Sequence, residues 1–402
     1  MVSGTRVLVT GASIAGPALA HWLRRRGAEV TVVERAPGLR PGGQAVDARG
    51  VAKEAIKRMG LDEAVRAACT DTAGAHSVDA DGRVLETYRA DDDGGDGFIA
   101  DIEILRGDLS RVLYDDTRDG VEYVFGDRVV EVAQDADGVD VGFAGGGRRR
   151  FDLVVGADGL HSALRGMVFG PHERFVRHLG HVLAFYSVPN EFGLDRWLLE
   201  HQDQASGRSA LLRPIQDATR AMAMFSFTSD DFDVDHRDVD GQKALLRERV
   251  AGLGWLTEDI LAHLDDTPDF YLDQVAQVVM DRWSTGRVGL IGDAAFSSSP
   301  LSGQGTGLAL VGAYLLAGEL AGAGWDPEVG FARYEALMRP FVEANQEIGR
   351  LNARSRAIPG PDAEPAPDFE GEWFVELIGR VLHGVELPDY ADLPDAGVPA
   401  RS

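Results

Sequence analysis

The first 34 residues predict a βαβ unit, which commits this part of the chain to a parallel α/β sheet. Residues 6–10 read as a buried strand, residues 11–16 (GASIAG) as a glycine-rich turn, and residues 17–26 as a helix. A second strand over residues 29–34 ends at an acid, Glu34. Glycines in such a turn let the backbone approach a pyrophosphate, and an acid about 20 residues further on binds a ribose hydroxyl. The unit therefore predicts nucleotide binding.

A second strand–turn–helix segment lies in the last third of the chain. Residues 288–291 read as a buried strand, Asp293 follows it, and residues 303–307 (GQGTG) precede an apolar helix over residues 308–320. Free backbone N–H groups at such a helix start suit an anion or an electron-rich ring edge. Asp293, at a strand end, suits a hydrogen bond to sugar-like hydroxyls. The alternative interpretation is a glycine-rich turn ahead of a core helix.

Between these two segments, a further such turn, residues 156–159 (GADG), follows the apolar strand 151–155. In chain order the first turn is residues 11–16, the second is residues 156–159 and the third is residues 292–307. Asp158 suits either of two roles, fixing the loop backbone or binding a ligand. Arg165, shortly after it, suits a phosphate. Arg106 lies off the apolar stripe of a helix predicted over residues 104–114, and periodicity alone makes it an ordinary exposed arginine.

The charge balance excludes some partners. The formal net charge is −25, from 40 basic and 65 acidic residues, and such a surface repels nucleic acid and anionic membranes. The single cysteine, Cys69, excludes an intrachain disulfide and a multi-cysteine metal site, and we predict no metal. With no signal-like N-terminus and no apolar run near the ~20 residues of a membrane span, a soluble cytoplasmic protein is expected.

Between about residues 175 and 272 the chain changes to alternating strands. The expected fold class is α/β, with a Rossmann-like nucleotide-binding domain, an inserted and mostly antiparallel β-sheet domain, and C-terminal helices. The crevice between the two domains is expected to hold a small molecule. The predicted boundaries are 1–72, 97–174 and 280–330 for the nucleotide-binding domain, 73–96 and 175–279 for the substrate domain, and 331–402 for the C-terminal helical segment.

The three turns, in this order and spacing, resemble those of the class A flavoprotein monooxygenases, which have the para-hydroxybenzoate hydroxylase fold. The resemblance covers about residues 5–345. In size the chain is most similar to the compact branch that includes tetracycline-inactivating and antibiotic-tailoring hydroxylases. Four positions depart from the family pattern, with serine for glycine, phenylalanine for histidine, glycine for asparagine and glycine for an acid: Ser13, Phe296, Gly307 and Gly312.

The resemblance implies FAD as the cofactor and assigns site residues. The first turn would hold the AMP half, Asp293 the ribityl and pyrophosphate region, and residues 303–307 would face the isoalloxazine. Pro300 would lie in the loop beside the flavin and is the one catalytic candidate. The implied cofactor-binding residues are Gly11, Ser13, Ile14, Ala15, Gly16, Glu34, Arg35, Gly43, Gln44, Arg106, Asp158, Arg165, Asp293, Gly303, Gln304, Gly305, Thr306 and Gly307.

The reaction that the resemblance implies uses NADPH or NADH and O2. One oxygen atom would pass, by way of a flavin C4a-hydroperoxide, into an electron-rich aromatic or polyketide-like small molecule. Hydroxylation, epoxidation and Baeyer–Villiger oxidation all remain open. Two other functions are compatible with the motifs: a flavin-dependent dehydrogenase or oxidase on the same fold, and a non-catalytic flavin- or ligand-binding protein.

Overall fold

The structure, a computed structural model, describes residues 4–90, 95–97, 99–229, 237–358, 367, 369–393 and 395. The sequence predicts an acidic connection over residues 91–97 and a Pro/Ala/Asp-rich linker over residues 359–367, and both lie mostly outside the described residues.

The strands are β1 Arg6–Thr10, β2 Glu29–Glu34, β3 Ala45–Asp47, β4 Gly74–Val78, β5 Val84–Arg89, β6 Glu103–Leu105, β7 Glu122–Phe125, β8 Val129–Gln134, β9 Val139–Phe143, β10 Arg148–Phe151, β11 Leu153–Gly156, β12 Val176–Pro189, β13 Trp197–Asp203, β14 Arg208–Pro214, β15 Arg220–Thr228, β16 Tyr271–Val278, β17 Ser284–Thr285 and β18 Val288–Leu290. The helices are α1 Ala15–Arg25, α2 Val51–Met59, α3 Asp62–Ala67, α4 Arg106–Thr117, α5 Ala163–Val168, α6 Val239–Val250, α7 Thr257–Leu261, α8 Asp293–Phe296, α9 Gly305–Gly322, α10 Pro327–Arg356 and α11 Glu372–His383, with 3₁₀ turns at His172–Arg174 and Pro300–Ser302.

The first sheet has the order β17-β18-β11-β1-β2-β7, and every neighbouring pair except β17–β18 is parallel. Chain order reverses at β1, which lies between β11 and β2. The register pairs Thr10 with Gly156, and Gly156 with Leu290. The three glycine-rich turns therefore follow strands whose carboxyl ends lie on the same side of the sheet. This side is beside the switch point where such folds bind nucleotides.

The second sheet has seven strands in the order β16-β12-β15-β14-β13-β4-β5. Its pairs are antiparallel except β13–β4. One face packs on α6 and α7, where apolar side chains such as Val182, Phe225 and Leu246 form a core of their own. A two-stranded ribbon, β3–β6, lies against the other face through Leu105. The prediction of an α/β fold with an inserted, mostly antiparallel sheet and C-terminal helices is confirmed.

Helix α9 passes through the core of the first domain. By length and composition it is apolar enough to cross a membrane, the one such helix among the described residues, and 78% of it is buried inside the structure. It packs against α1, α2 and α10. The helix is longer than the predicted residues 308–320, because Gly305, Thr306 and Gly307 of the glycine-rich turn belong to it.

Four local predictions were wrong. Residues 104–105 belong to strand β6, and the helix begins at Arg106. The sequence of residues 121–132 predicts one strand, but these residues form two, β7 and β8, separated near Gly126, whose φ is +76°. The sequence predicts a tight turn at residues 294–295, but they lie in a single helical turn, α8. Strand β16 was missed: it is buried on both faces over most of its length, so it lacks an alternating pattern.

Candidate cofactor and substrate site

The first and second turns are in direct contact at the edge of the sheet. Gly11 has a φ of +99°, and a Cβ atom there would collide with the carbonyl oxygen of Ala157 and lie 3.1 Å from the Cα of Asp158. A Cβ at Gly16 would collide with the carbonyl oxygen of Gly11. Only glycine fits at these two positions, because the backbones are too close for any side chain.

Glu34 lies at the end of β2, directly beside the first turn. Its carboxylate accepts hydrogen bonds from the backbone N–H groups of Ala12 and Ala36, each at 2.9 Å. A carboxylate has about four acceptor positions, so two remain for a ribose. Arg35, next to it, is exposed. Their contacts with the cofactor stay predictions.

The start of α1 connects the first turn with the third. Ser13 is half-buried, and its hydroxyl lies 3.4 Å from that of Ser110 in α4. Ile14 is buried, while the Cβ of Ala15 lies 3.1 Å from the position that a Cβ on Gly292 would occupy. The three turns therefore meet at the N-terminus of one helix, where free N–H groups favour an anion.

In the second turn, Asp158 fixes the loop backbone, one of its two predicted roles. Its carboxylate accepts from the Ser162 hydroxyl at 2.5 Å and from the N–H of Ala163 at 2.8 Å. Arg165 is fully buried and donates to the carbonyl oxygens of Leu160 and Ala294, at 2.6 and 2.9 Å. Arg165 thus connects the second turn with α8, and a direct contact of its side chain with a phosphate stays a prediction.

Asp293 begins α8 and lies in a recess. Its side chain is exposed to solvent, yet the surrounding protein desolvates the carboxyl group and raises its pKa. The positive charge of Arg106 and a hydrogen bond with Ser297 oppose that shift. A Cβ on Gly305 would lie 4.0 Å from Asp293 Oδ1. An accessible carboxylate inside a recess is suited to bind hydroxyl groups of a ligand.

The loop before β3 forms the next part of the recess. Gly43 has a φ of +88°, and a Cβ there would lie 3.6 Å from the Cβ of Arg106. The N–H of Arg106 donates to the carbonyl oxygen of Gln44 at 3.0 Å. Gln44 Oε1 is buried without a hydrogen-bond partner among the described residues. Such an acceptor is costly unless a donor reaches it, so the recess fits a cofactor that carries N–H or O–H groups.

The third turn is closely packed. Gly303 has a φ of +67° and is exposed, whereas Gln304 and Thr306 are buried. A Cβ on Gly307 would lie 3.0 Å from Gln304 Oε1 and 3.4 Å from the Cβ of Ala52. A larger side chain at Gly307, such as the family's usual asparagine, would need the neighbouring side chains to shift.

Two other departures from the family pattern, Phe296 and Gly312, are neighbours in the core. Phe296 is buried and contacts the indole of Trp283, with ring centroids 4.7 Å apart. A Cβ on Gly312 would lie 3.5 Å from the Cζ of Phe296. The phenyl ring therefore occupies space beside Gly312 in an apolar core.

Pro300, the catalytic candidate, is exposed and begins the 3₁₀ turn before Gly303. Ser299, just before it, has a φ of +76° and a ψ of 156°, a conformation that costs a residue with a side chain about 1–3 kcal/mol. Neighbouring contacts hold the loop. The amide of Gln277 donates to Ser298 O at 3.1 Å, and the amide of Asn352 donates to Leu301 O at 2.8 Å.

A charged cluster beside the recess was not predicted from the sequence. Asp47 of β3 pairs with Arg49 at 2.8 Å, and Glu103 of β6 pairs with Arg213 of β14. No local motif could have shown this cluster, because its members come from three distant segments that only the two sheets bring together. Within the described residues, no group of three or more His, Cys, Asp or Glu residues could hold a metal ion.

The chain is similar to known flavoproteins over nearly its whole length. The family described as "FAD binding domain" matches residues 4–347. An uncharacterised protein of Mycobacterium tuberculosis (strain ATCC 25618 / H37Rv) is 45% identical over 385 residues, which cover 96% of this chain and 99% of that protein.

Two further relatives agree with this match. A protein named flavin-dependent monooxygenase from Legionella longbeachae serogroup 1 (strain NSW150) is 36% identical over 397 residues, covering 97% of this chain and 99% of that protein. The crystal structure of the tetracycline destructase Tet(55) has a TM-score of 0.84 and 37% identity, and the match covers 97% of this chain and 100% of that chain. The chain belongs to the FAD binding domain family, and it is a class A FAD-dependent monooxygenase.

Proposed function

We propose that this monooxygenase uses NADPH or NADH and O2 to insert one oxygen atom into an electron-rich aromatic or polyketide-like small molecule. The observation that carries the proposal is a series of contacts from the predicted flavin loop to the second sheet. A Cβ on Gly303 would lie 3.3 Å from Arg49 Nη1, Arg49 pairs with Asp47 of the ribbon, and the ribbon packs on the second sheet through Leu105.

In this proposal the FAD lies along the edge of the first sheet. Glu34 accepts hydrogen bonds from the ribose, the N-terminus of α1 faces the pyrophosphate, and Asp293 accepts hydrogen bonds from the ribityl region. Gln44 Oε1 receives a donor from the cofactor, which would satisfy its buried oxygen. When bound, the flavin supplies hydride acceptance and oxygen transfer, and the protein supplies binding, orientation and exclusion of water.

The substrate would lie beside the contact between the ribbon and the second sheet. Leu105 of the ribbon packs there with Phe185 and Met222 of the second sheet. The ring of Tyr271 stacks on that of Phe185, with centroids 4.8 Å apart. Apolar and aromatic walls suit a flat aromatic compound and keep water from the reacting atoms.

The predicted domain boundaries belong to this proposal, with the FAD-binding domain in three segments and the substrate domain in two. The name of Tet(55), a tetracycline destructase, supports a polycyclic, polyketide-like substrate. We also propose a cytoplasmic location, where NADPH and NADH are available.

Isotope labelling tests the proposed reaction. Phenols and polycyclic aromatics are screened for compounds that raise the rate of NADPH or NADH oxidation, and each stimulating compound is then incubated under ¹⁸O2. The proposal expects one ¹⁸O atom in the product. An unlabelled product with all the O2 recovered as hydrogen peroxide would instead support a flavin oxidase. If no compound stimulates NAD(P)H oxidation, a binding protein is favoured.

The replacement Pro300→Gly is expected to keep FAD and NAD(P)H oxidation but to divert turnover into hydrogen peroxide. Proline restricts its own φ and the conformation of Ser299, and glycine frees both. A looser loop beside the flavin would admit water before oxygen transfer is complete. The measurement is product and peroxide formed per NAD(P)H consumed.

The control for this prediction is Pro327→Gly, at the first position of α10 and outside the recess. It should leave the product-to-NAD(P)H ratio unchanged. If the ratio is also unchanged in a folded, flavin-replete Pro300→Gly protein, the loop does not protect the oxygen-transfer step.

A further inference from the structure

Side chains of the ribbon alternate between two environments. Val46 and Ile104, the middle residues of β3 and β6, pack into the core of the first domain. The flanking pairs are Ala45 opposite Leu105 and Asp47 opposite Glu103. Because side chains alternate along a strand, these four residues share the other face, which is turned toward the second sheet.

That face has an apolar half. Leu105 is buried with Phe185 and Met222 of the second sheet, and Ala45 packs partly buried against the same group. These side chains would contact the flat, apolar part of a ligand.

The other half is charged. The carboxylate of Glu103 accepts from the hydroxyl groups of Thr70 and Thr72, each at 2.6 Å, and is paired with Arg213. Glu103 therefore holds Arg213 in position, because both of its carboxylate oxygens already have partners within the protein. An arginine has five N–H donors, so one carboxylate leaves donors of Arg213 for a ligand.

The carboxylate of Asp47 remains an acceptor. Arg49 pairs with Asp47 Oδ2 at 2.8 Å. The side chains of Asp47 and Arg213 are 21% and 17% exposed, so solvent reaches both. The surrounding protein nevertheless desolvates Asp47 enough to raise its pKa. Asp47 and Arg213 therefore lie mostly buried beside the ribbon, with part of each side chain still open to solvent.

Arg49 locates the charged half of this face relative to the flavin loop. A Cβ on Gly303 would lie 3.3 Å from Arg49 Nη1. The charged half of the face is therefore next to the loop predicted to face the isoalloxazine, and a ligand bound there would lie beside the reacting ring.

Stability alone does not account for four charges in this position. Buried ion pairs lose about as much in desolvation as they gain in attraction, and apolar residues of similar volume are often equally good or better. The apolar half of the same face shows that such residues fit between the ribbon and the second sheet. Binding of a ligand would account for the charged half.

The charges also limit what can bind. Asp47 and Glu103 balance Arg49 and Arg213, and Glu200 is near enough to raise the pKa of Arg213 further. Together with the net charge of −25, this balance gives a free carboxylate little attraction. A neutral group with a donor beside an acceptor can bond to Asp47 and Arg213 at once.

We propose that Asp47 and Arg213 form a polar subsite that selects substrates bearing a neutral donor–acceptor pair on an aromatic or enolic ring. Carboxamides, enolised 1,3-dicarbonyls and phenols beside a carbonyl belong to this class. The assignment rests on the proposed function, since it places the substrate in the same recess.

The test uses three probes that share a ring and an ortho hydroxyl group: 2-hydroxybenzamide, which is neutral, 2-hydroxybenzoate, an anion, and 2-hydroxybenzylamine, a cation. Each is titrated at pH 7 into the FAD-loaded protein and followed by the perturbation of the flavin absorbance. The amide is expected to bind at least about tenfold more tightly than the carboxylate. Equal binding of the three probes, or binding of none, would overturn the proposal.

Variants then assign the selection to Asp47. Asp47→Asn leaves two arginines against one acid, so the preference for the amide over the carboxylate should fall to about unity or invert. Asp47→Glu should retain the preference. Asp119→Asn, the same change at an exposed surface acid, should alter nothing. An unchanged preference in flavin-replete Asp47→Asn would contradict the assignment, and if that variant does not fold, the Asp47→Glu and wild-type titrations decide.

These titrations involve no turnover, so their outcome is independent of the labelling experiment. A protein that selects the amide but incorporates no ¹⁸O would refute the proposed reaction and leave the subsite. A protein that incorporates ¹⁸O without selecting the amide would support the proposed reaction and refute the subsite.

Discussion

Replacement of Gly11 by alanine is expected to abolish FAD binding. Gly11 has a φ of +99°, and a Cβ atom at this position would collide with the carbonyl oxygen of Ala157. The left-handed backbone alone costs a residue with a Cβ about 1–2 kcal/mol. The collision with backbone adds to this, because neither turn can move without opening the edge where the nucleotide binds.

Gly27→Ala is the matched control for Gly11→Ala. Gly27 has a φ of +86°, but a Cβ there would meet nothing within 4 Å. The free energy of unfolding of Gly27→Ala should fall by about 1–2 kcal/mol, and the variant should keep its flavin. The measurements are FAD bound per chain and the free energy of unfolding of each apoprotein. Wild-type FAD affinity in Gly11→Ala would show that contact between the two turns does not shape the site.

Asp293→Ala is expected to weaken FAD binding about 10- to 100-fold, since a hydrogen bond to a charged carboxylate contributes about 1.5–3 kcal/mol. Asp158→Ala should weaken it much less and reduce stability instead. The Asp158 carboxylate bonds to Ser162 and Ala163 of its own loop, whereas Asp293 faces the recess. FAD titrations of both apoprotein variants test this, and identical curves for Asp293→Ala and wild type would contradict it.

Asp293→Asn separates shape from charge in this experiment. The amide retains an acceptor oxygen and nearly the same volume, so its FAD affinity should lie between those of the alanine variant and the wild type. An asparagine variant as weak as alanine would mean that the negative charge itself holds the cofactor.

The parts of the fold that local sequence determines were predictable. A strand, a glycine turn and a helix are adjacent in the chain, so the segment around Gly11 and the segment around Asp293 were recognisable without any knowledge of distant contacts. The meeting of the turns at one edge followed from parallel pairing. The role of Arg165 did not, because its partners include the carbonyl oxygen of Ala294, 129 residues away.

The substrate side was less predictable for the same physical reason. Strand β3 has only three residues, too few for a periodic pattern, and Asp47 meets Glu103 only through the register of the ribbon. Arg213 comes from the second sheet. Each charge, taken alone in the sequence, is typical of an exposed residue, and only the packing of the ribbon on the second sheet shows that these charges lie together and mostly buried.

The most direct test of the central claim, that the three turns build one non-covalent FAD site, is the flavin content of the purified protein. We predict a yellow protein with one FAD per chain, all of which is released to the supernatant when the chain is denatured and precipitated. Flavin that stays with the precipitated chain, or a chain that binds no FAD even on reconstitution, would contradict the account.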